Sequence, residues 1–374
     1  KIVLIVAQVL GYMLSKFLGI KLVSEMTPAR RIAAILVLMG ISWGSLLLFG
    51  LTPRPYNIIW MFFNGLPLGM IWGIVFSFLE GRRSTELLGA GMSASFIVAS
   101  GLVKSAGRHL MDAYHLSEFW MPFFTGLLFV PALLAGVWML SKIPPPDAAD
   151  QAQRTERVPM TGAERRAFFI EFAPGIILVV LIFMALTIFR DLRDNFAVEI
   201  WTQLGYADTS KVLLLAEIPI AIAVFVIVAL MIYIKSNRSA FFANIGIIIL
   251  GGLLLMISTY SWQRGLLPSS IWMILIGFAM YLAYISYHTM LFERWIALFR
   301  YRSNIGFLMY MADSFGYLGS VGVLLYKNFS HNEADWPTFI AQTSYLTGII
   351  TILLGVLAGM YFWGKSRVEV EVGA

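Results

Sequence analysis

The chain has no cysteine and only four histidines among its 374 residues. Without cysteine there are no disulfides, no thiolate metal sites and no cysteine nucleophiles. The histidines, at 109, 115, 288 and 331, form no i,i+4 pair able to hold a metal on one helix face. Charge is scarce too: 13% of residues are charged, where a soluble domain carries about a quarter. No serine elbow or paired carboxylates stand at catalytic spacing, and no Walker motif is present. The sequence therefore points away from an enzyme, from a bound cofactor and from direct use of ATP. The net charge of +6 is spread over separate loops, which is not the clustered patch of a nucleic-acid binder.

Apolar residues dominate, at 59% with a mean hydropathy of +0.80. They come in runs of roughly 20, the length that crosses a bilayer as helix. Barrel strands would alternate every second residue, and these runs do not. The fold class is an all-α membrane bundle. Eleven spans are predicted, at roughly 2–23, 31–51, 56–79, 88–108, 118–141, 173–194, 211–234, 239–260, 268–291, 303–326 and 338–363. The long polar stretch from Lys142 to Arg166, opening KIPPPDAADQAQRTER, has linker composition. It divides an N-terminal half, 1–141, from a C-terminal half, 168–374, with 142–167 as the connection.

Loops on the linker side hold sixteen Lys and Arg, including Arg30, Arg31, Arg82, Arg83, Arg154, Arg157, Arg300, Arg302 and Arg367, against six on the other side. That asymmetry puts the linker and C-terminus in the cytoplasm of a bacterial inner membrane. Lys1 then starts outside without a signal-peptide pattern, so a twelfth, upstream helix is expected, giving six plus six. Internal similarity agrees with two halves: Ile59-Trp60-Met61 followed by Gly65 recurs as Ile271-Trp272-Met273 followed by Gly277. Glu80 with Arg82 echoes Glu293-Arg294, and Gly91 with Gly101 echoes Gly306 with Gly316.

The run Gly11-Tyr12-Met13-Leu14-Ser15-Lys16-Phe17-Leu18-Gly19-Ile20-Lys21 resembles the major facilitator superfamily signature that follows its second helix. Gly11, Lys16 and Phe17 fit; Ser15 stands where that family has an acid, and Gly19 lies one residue late. The resemblance implies two six-helix halves that rock about a central site. It makes the eleven visible spans helices two to twelve, with helix two beside eleven and helix five beside eight.

Ionisable residues inside spans are costly, so they face partners or wet cavities. Lys104 lies in GMSASFIVASGLVKSAG and Glu217 in VLLLAEIPIAIAVFVIVALMIYI, at similar depth. On helices five and eight of the resembled family they would form an interdomain pair closing the outer side. The alternative is that Lys104 snorkels to headgroups and Glu217 sits near a helix start. Asp313 is the deepest carboxylate and shares a helix face with Tyr310, Ser314 and Tyr317. It is the first candidate for proton coupling and Glu217 the second, with Lys16 as the cation the resemblance brings near Asp313. Arg190 and Arg193, in FRDLRDN, would receive a carboxylate or phosphate unless Asp194 satisfies them locally. Tyr281 and Tyr284 share a face with His288, and Asn64 lies in NGLPLGM; either could line a solute site or serve packing. The functional expectation is a proton-coupled secondary transporter of a small polar or anionic organic solute. The alternatives are an amphiphile or lipid transporter on the same fold, and a membrane sensor or assembly protein that moves nothing.

Overall fold

The computed structural model describes residues 2–23, 26–79, 85–144, 162–206, 209–299, 305–329 and 335–372. Most of the expected linker, Glu80 to Arg83, Arg300, Arg302 and His331 lie outside them. Among the described residues there are thirteen α-helices and no strand. Helices are the open-ended way to satisfy every backbone polar group in hydrocarbon. The N-terminal helices are α1 (Ile2–Leu22), α2 (Pro28–Leu51), α3 (Ile58–Leu79), α4 (Thr85–Tyr114) and α5 (Met121–Ser141). The rest are α6 (Gly162–Asn195), α7 (Ala197–Gln203), α8 (Thr209–Leu230), α9 (Asn237–Gln263), α10 (Ser269–Ser286), α11 (Phe292–Leu298), α12 (Ile305–Phe329) and α13 (Trp336–Val372).

Eleven of these are long and apolar enough to cross a membrane. At 34 residues, α6 is about 51 Å long, so it outruns a core of about 30 Å. It begins at Gly162, well before the expected 173. Its start is tied to the end of α13, where Lys365 Nζ donates to the Glu171 carbonyl at 3.0 Å. The span expected at 268–291 is interrupted: α10 passes into a π-helical turn, Tyr287–Leu291, before α11. Arg294 of α11 donates to Asn237 Oδ1 at the start of α9, at 2.7 Å.

The two halves repeat the same pairings. In the first, α3 packs on α1 and α2, and α2 on α5. In the second, α10 packs on α8 and α9, and α9 on α13. The matched tryptophans behave alike: Trp60 Nε1 donates to Thr52 Oγ1 at 2.8 Å and Trp272 Nε1 to Thr259 Oγ1 at 3.1 Å. The halves meet along two seams, α1 on α12 and α4 on α8.

Helix association in lipid relies on close packing over small residues. The α1–α3 crossing shows why these glycines are needed. A Cβ on Gly65 would strike the Gln8 carbonyl, and one on Gly11 the Phe62 carbonyl. A Cβ on Gly69 would come within 2.7 Å of Ser15 Cβ and the Tyr12 carbonyl. Ser15, fully buried, is small enough for that contact, at the position where the resembled signature carries an acid. Asn64 locks the same crossing: it accepts from Gln8 Nε2 at 2.6 Å and donates to Ser42 Oγ and its carbonyl at 2.8 and 3.0 Å. Gly65→Ala is expected to lower the thermal midpoint by an amount equivalent to about 1–3 kcal/mol. Gly40→Ala, with nothing within 4 Å of its added carbon, should leave the midpoint unchanged or slightly raised. Equal midpoints for the two variants in detergent would contradict the backbone-contact argument.

Candidate functional site

Between the half-bundles lies a cavity of about 60 Å³. The first half supplies Tyr12 and Lys16 from α1, Trp72 from α3, and Ser93 and Phe96 from α4. The second supplies Arg190 from α6, Tyr284 and Ile285 from α10, His288 from the π turn, and Asp313 and Tyr317 from α12. Ligand pockets usually measure roughly 300–1,000 Å³, so this one is contracted. Its lining mixes ionisable and aromatic side chains.

The linker-side end is an ion pair across the α1–α12 seam. Lys16 Nζ stands 2.7 Å from Asp313 Oδ2, with side chains only 4% and 6% exposed. The other carboxylate oxygen is 3.5 Å from His288 Nε2. Lys16 also lies 5.2 Å and 5.5 Å from the ring centres of Tyr12 and Tyr310, within cation–π range. Two helices from different halves are thereby joined by a buried charge pair. Attraction alone does not make such a pair strongly stabilising, because desolvation offsets it; losing one partner leaves a bare charge and costs about 3–5 kcal/mol.

Arg190 forms the other polar wall. Its Nε and Nη2 donate to Asp191 Oδ1 at 3.0 and 2.6 Å. Nη1 donates to the Tyr284 hydroxyl, and Nη2 also reaches the Tyr317 hydroxyl at 3.4 Å. Arg190 is thus satisfied locally, as the alternative reading had it, but by Asp191 rather than Asp194. Asp194 is turned to the α4 side, where it meets Lys104 at 3.1 Å, Ser100 Oγ at 3.4 Å and the Tyr281 hydroxyl at 3.4 Å.

A second charge cluster closes the α4–α8 seam on the side away from the linker. α4 and α8 do adjoin: a Cβ on Gly101 would lie 2.7 Å from the Leu213 carbonyl and 3.0 Å from Glu217 Cγ. The expected Lys104–Glu217 pair, however, is not formed. Lys104 pairs with Asp194, and Glu217 pairs with Arg193 at 2.9 Å. The reason is that α6 does not end in water. It runs into α7 and buries Arg193 to 2% exposure, with Nη2 also donating to the Met273 carbonyl at 3.3 Å. A buried guanidinium takes the nearest carboxylate, and Glu217 on α8 is that group. Gly277 makes room for it, since a Cβ there would lie 2.5 Å from Arg193 Nη2.

Of the expected solute contacts, Arg190 and Tyr284 line the cavity. Arg193, Lys104 and Tyr281 belong to the second cluster, and Asn64 is held in the α1–α2–α3 crossing. Tyr310 stands beside Lys16 with its hydroxyl unpartnered. Of the expected proton-coupling or gating groups, Lys16 and Asp313 line the cavity, while Glu217 and Lys104 do not. Sequence reading missed Tyr12, Trp72 and Phe96 as lining residues. Tyr12 had a usable signal, one helical turn before Lys16 on the same face; Trp72 and Phe96 had none among so many apolar neighbours.

The two clusters differ in burial, and stability should follow. Glu217→Gln strands Arg193, which is 2% exposed, and is expected to cost about 3–5 kcal/mol. Lys104→Met removes a partner that is 29% exposed, and should cost about 1 kcal/mol or less. Thermal unfolding of the two variants checks the order, and a larger loss for Lys104→Met would overturn it.

Comparisons with known proteins agree with this architecture. No functionally curated protein is significantly similar in sequence. Among solved structures, the chain is similar to the major facilitator superfamily proton:xylose symporter XylE bound to 6-bromo-6-deoxy-D-glucose. The TM-score is 0.66 at 15% identity, over 96% of this chain and 85% of that one. Residues 1–365 match the model of a family described as a family of unknown function, DUF5690. The chain belongs to that family, and its fold is the major facilitator superfamily bundle.

Proposed function

We propose that this protein is a secondary active transporter that moves a small polar or anionic organic solute by alternating access, coupled to protons. The observation that carries the reading is the cavity between the half-bundles, lined by Lys16, Asp313 and Arg190 from helices of both halves. Buried ionisable groups at membrane depth are retained where they handle a solute or an ion. The solved relative in fold is itself named a proton:xylose symporter, which supports the same class of activity here. We place the protein in a bacterial inner membrane with the linker and C-terminus in the cytoplasm, on the positive-charge asymmetry of its loops.

The chemistry of coupling follows from the seam. Lys16 and Asp313 attract each other across the contact between α1 and α12. A proton arriving on Asp313 cancels that attraction, and the seam on the linker side loses a bond that joins the halves. By linkage, opening the seam must in turn favour the proton, because each event changes the free energy of the other by the same amount. On the far side, the Lys104–Asp194 pair joins α4 to α6 across the halves in the same way. A solute that draws the halves together around Arg190 would bias which seam stays closed.

The amphiphile alternative is less well supported, since the cavity is small and ends in charged groups rather than opening as a wide apolar cleft. The test is transport by the full-length protein in proteoliposomes with an imposed pH gradient, screening small carboxylates and neutral sugars. Asp313→Asn is expected to abolish gradient-driven uptake while sparing solute exchange. Gradient-driven uptake of wild-type strength in that variant would overturn Asp313 as the proton carrier.

A further inference from the structure

The cavity can be taken further by accounting for its hydrogen atoms. Tyr284 accepts from Arg190 Nη1, so its own O–H proton points elsewhere and is available to a bound acceptor. Tyr317 accepts from Arg190 Nη2 at 3.4 Å, and its ring lies 4.6 Å from that of Tyr12. Because Tyr317 accepts there, its own O–H proton is free to point elsewhere. Trp72 Nε1, which can only donate, has no partner. Lys16 has three N–H bonds and one carboxylate against it. The wall is therefore rich in free donors.

Charged acceptors are few by comparison, although the lining hydroxyls of Tyr12, Tyr284, Tyr317 and Ser93 can also accept. Both oxygens of Asp313 are engaged, one by Lys16 and one facing His288. His288 Nδ1 is unpartnered and 9% exposed at its side chain; it accepts when Nε2 carries the proton toward Asp313. The charged lining residues are two cations, Lys16 and Arg190, and one carboxylate, Asp313. Asp191 meets Arg190 on its Nε and Nη2 edge, leaving the Nη1 edge toward Tyr284. The rest of the lining is Phe96, Ile285, Trp72 and other uncharged side chains.

A neutral polyol would offer the Arg190 guanidinium only neutral acceptors, which make weaker hydrogen bonds to it than a carboxylate does. A carboxylate brings only acceptors, and buried donors left without one are costly. A second negative charge would sit against apolar wall without a partner. Resting on the transporter reading above, we propose that the solute is a compact monocarboxylate. Its carboxylate is received by Arg190 Nη1 and the Tyr284 hydroxyl, and its short apolar or unsaturated body lies between the aromatic walls. This also divides the two arginines: Arg190 is the solute group, and Arg193 is held by Glu217.

The test is binding to purified full-length protein in nanodiscs, by calorimetry and thermal shift, with sodium propionate, its neutral isostere propionamide, and D-xylose. Propionate is expected to bind at least tenfold more tightly than either neutral probe. Arg190→Gln should weaken it at least tenfold. Tyr284→Phe, which keeps the ring and loses only the hydroxyl, should weaken it several-fold without a change in fold, and serves if Arg190→Gln does not fold. Binding of propionamide or D-xylose as tight as that of propionate would overturn the carboxylate assignment, as would unchanged propionate affinity in Tyr284→Phe. Labelled propionate counterflow in proteoliposomes at pH 8 separates the two proposals. Specific binding without counterflow keeps the carboxylate site and rejects transport. Counterflow of another solute without propionate binding keeps transport and rejects the carboxylate.

Discussion

Charge taken out of water must meet opposite charge, and in this protein it does so across the boundary between the half-bundles. Lys16 comes from the first half and Asp313 from the second, at 2.7 Å and almost fully buried. Neither could occupy its place alone, since an unpaired ion in that setting costs several kcal/mol. The contact of α1 with α12 is thus tied to a chemical bond that a proton can undo. The aromatic rings around Lys16 and the position of His288 follow from the same need to surround the pair. So does the location of the cavity, which is the space beside the pair that packing does not fill.

Much of the bundle was legible in the sequence, because span length and apolar runs are set by bilayer thickness rather than by tertiary detail. The eleven spans and the matched tryptophans of the two halves could be read from the chain. What could not be read were the places where a helix does something other than cross. The π turn at Tyr287–Leu291 leaves no mark in hydropathy, and it sets His288 against Asp313. The short α7 also went unseen, and it decides the fate of the arginines. A helix ending in water would let Arg190 and Asp194 pair at i,i+4; a helix end buried under α7 leaves each group to its nearest neighbour in space. Depth along a helix is readable from sequence, but rotation about its axis among four neighbours is not. Lys104 and Glu217 were therefore placed at matching depth on adjoining helices and still found different partners.

The two charge clusters are unequal, and under the transporter proposed above the inequality bears on how the halves would move. The linker-side pair is sealed, at 4% and 6% exposure, and crosses between the halves directly. On the far side the fully buried pair, Arg193 with Glu217, lies within the second half, on α6 and α8. The pair that crosses there, Lys104 with Asp194, is 29% and 18% exposed. Half-buried, that pair loses less when water separates it than a sealed pair does, for which separation without rescue by water costs several kcal/mol. The far seam is thus closed by a contact that water can replace at little cost, and the linker-side seam by one it cannot. Parting the halves on the linker side then needs something that removes charge, and a proton on Asp313 is the smallest agent that does so. Under the transporter proposed above, the energetic asymmetry of two ion pairs, more than the shape of either half, is what would make movement on one side conditional on a proton and movement on the other less costly.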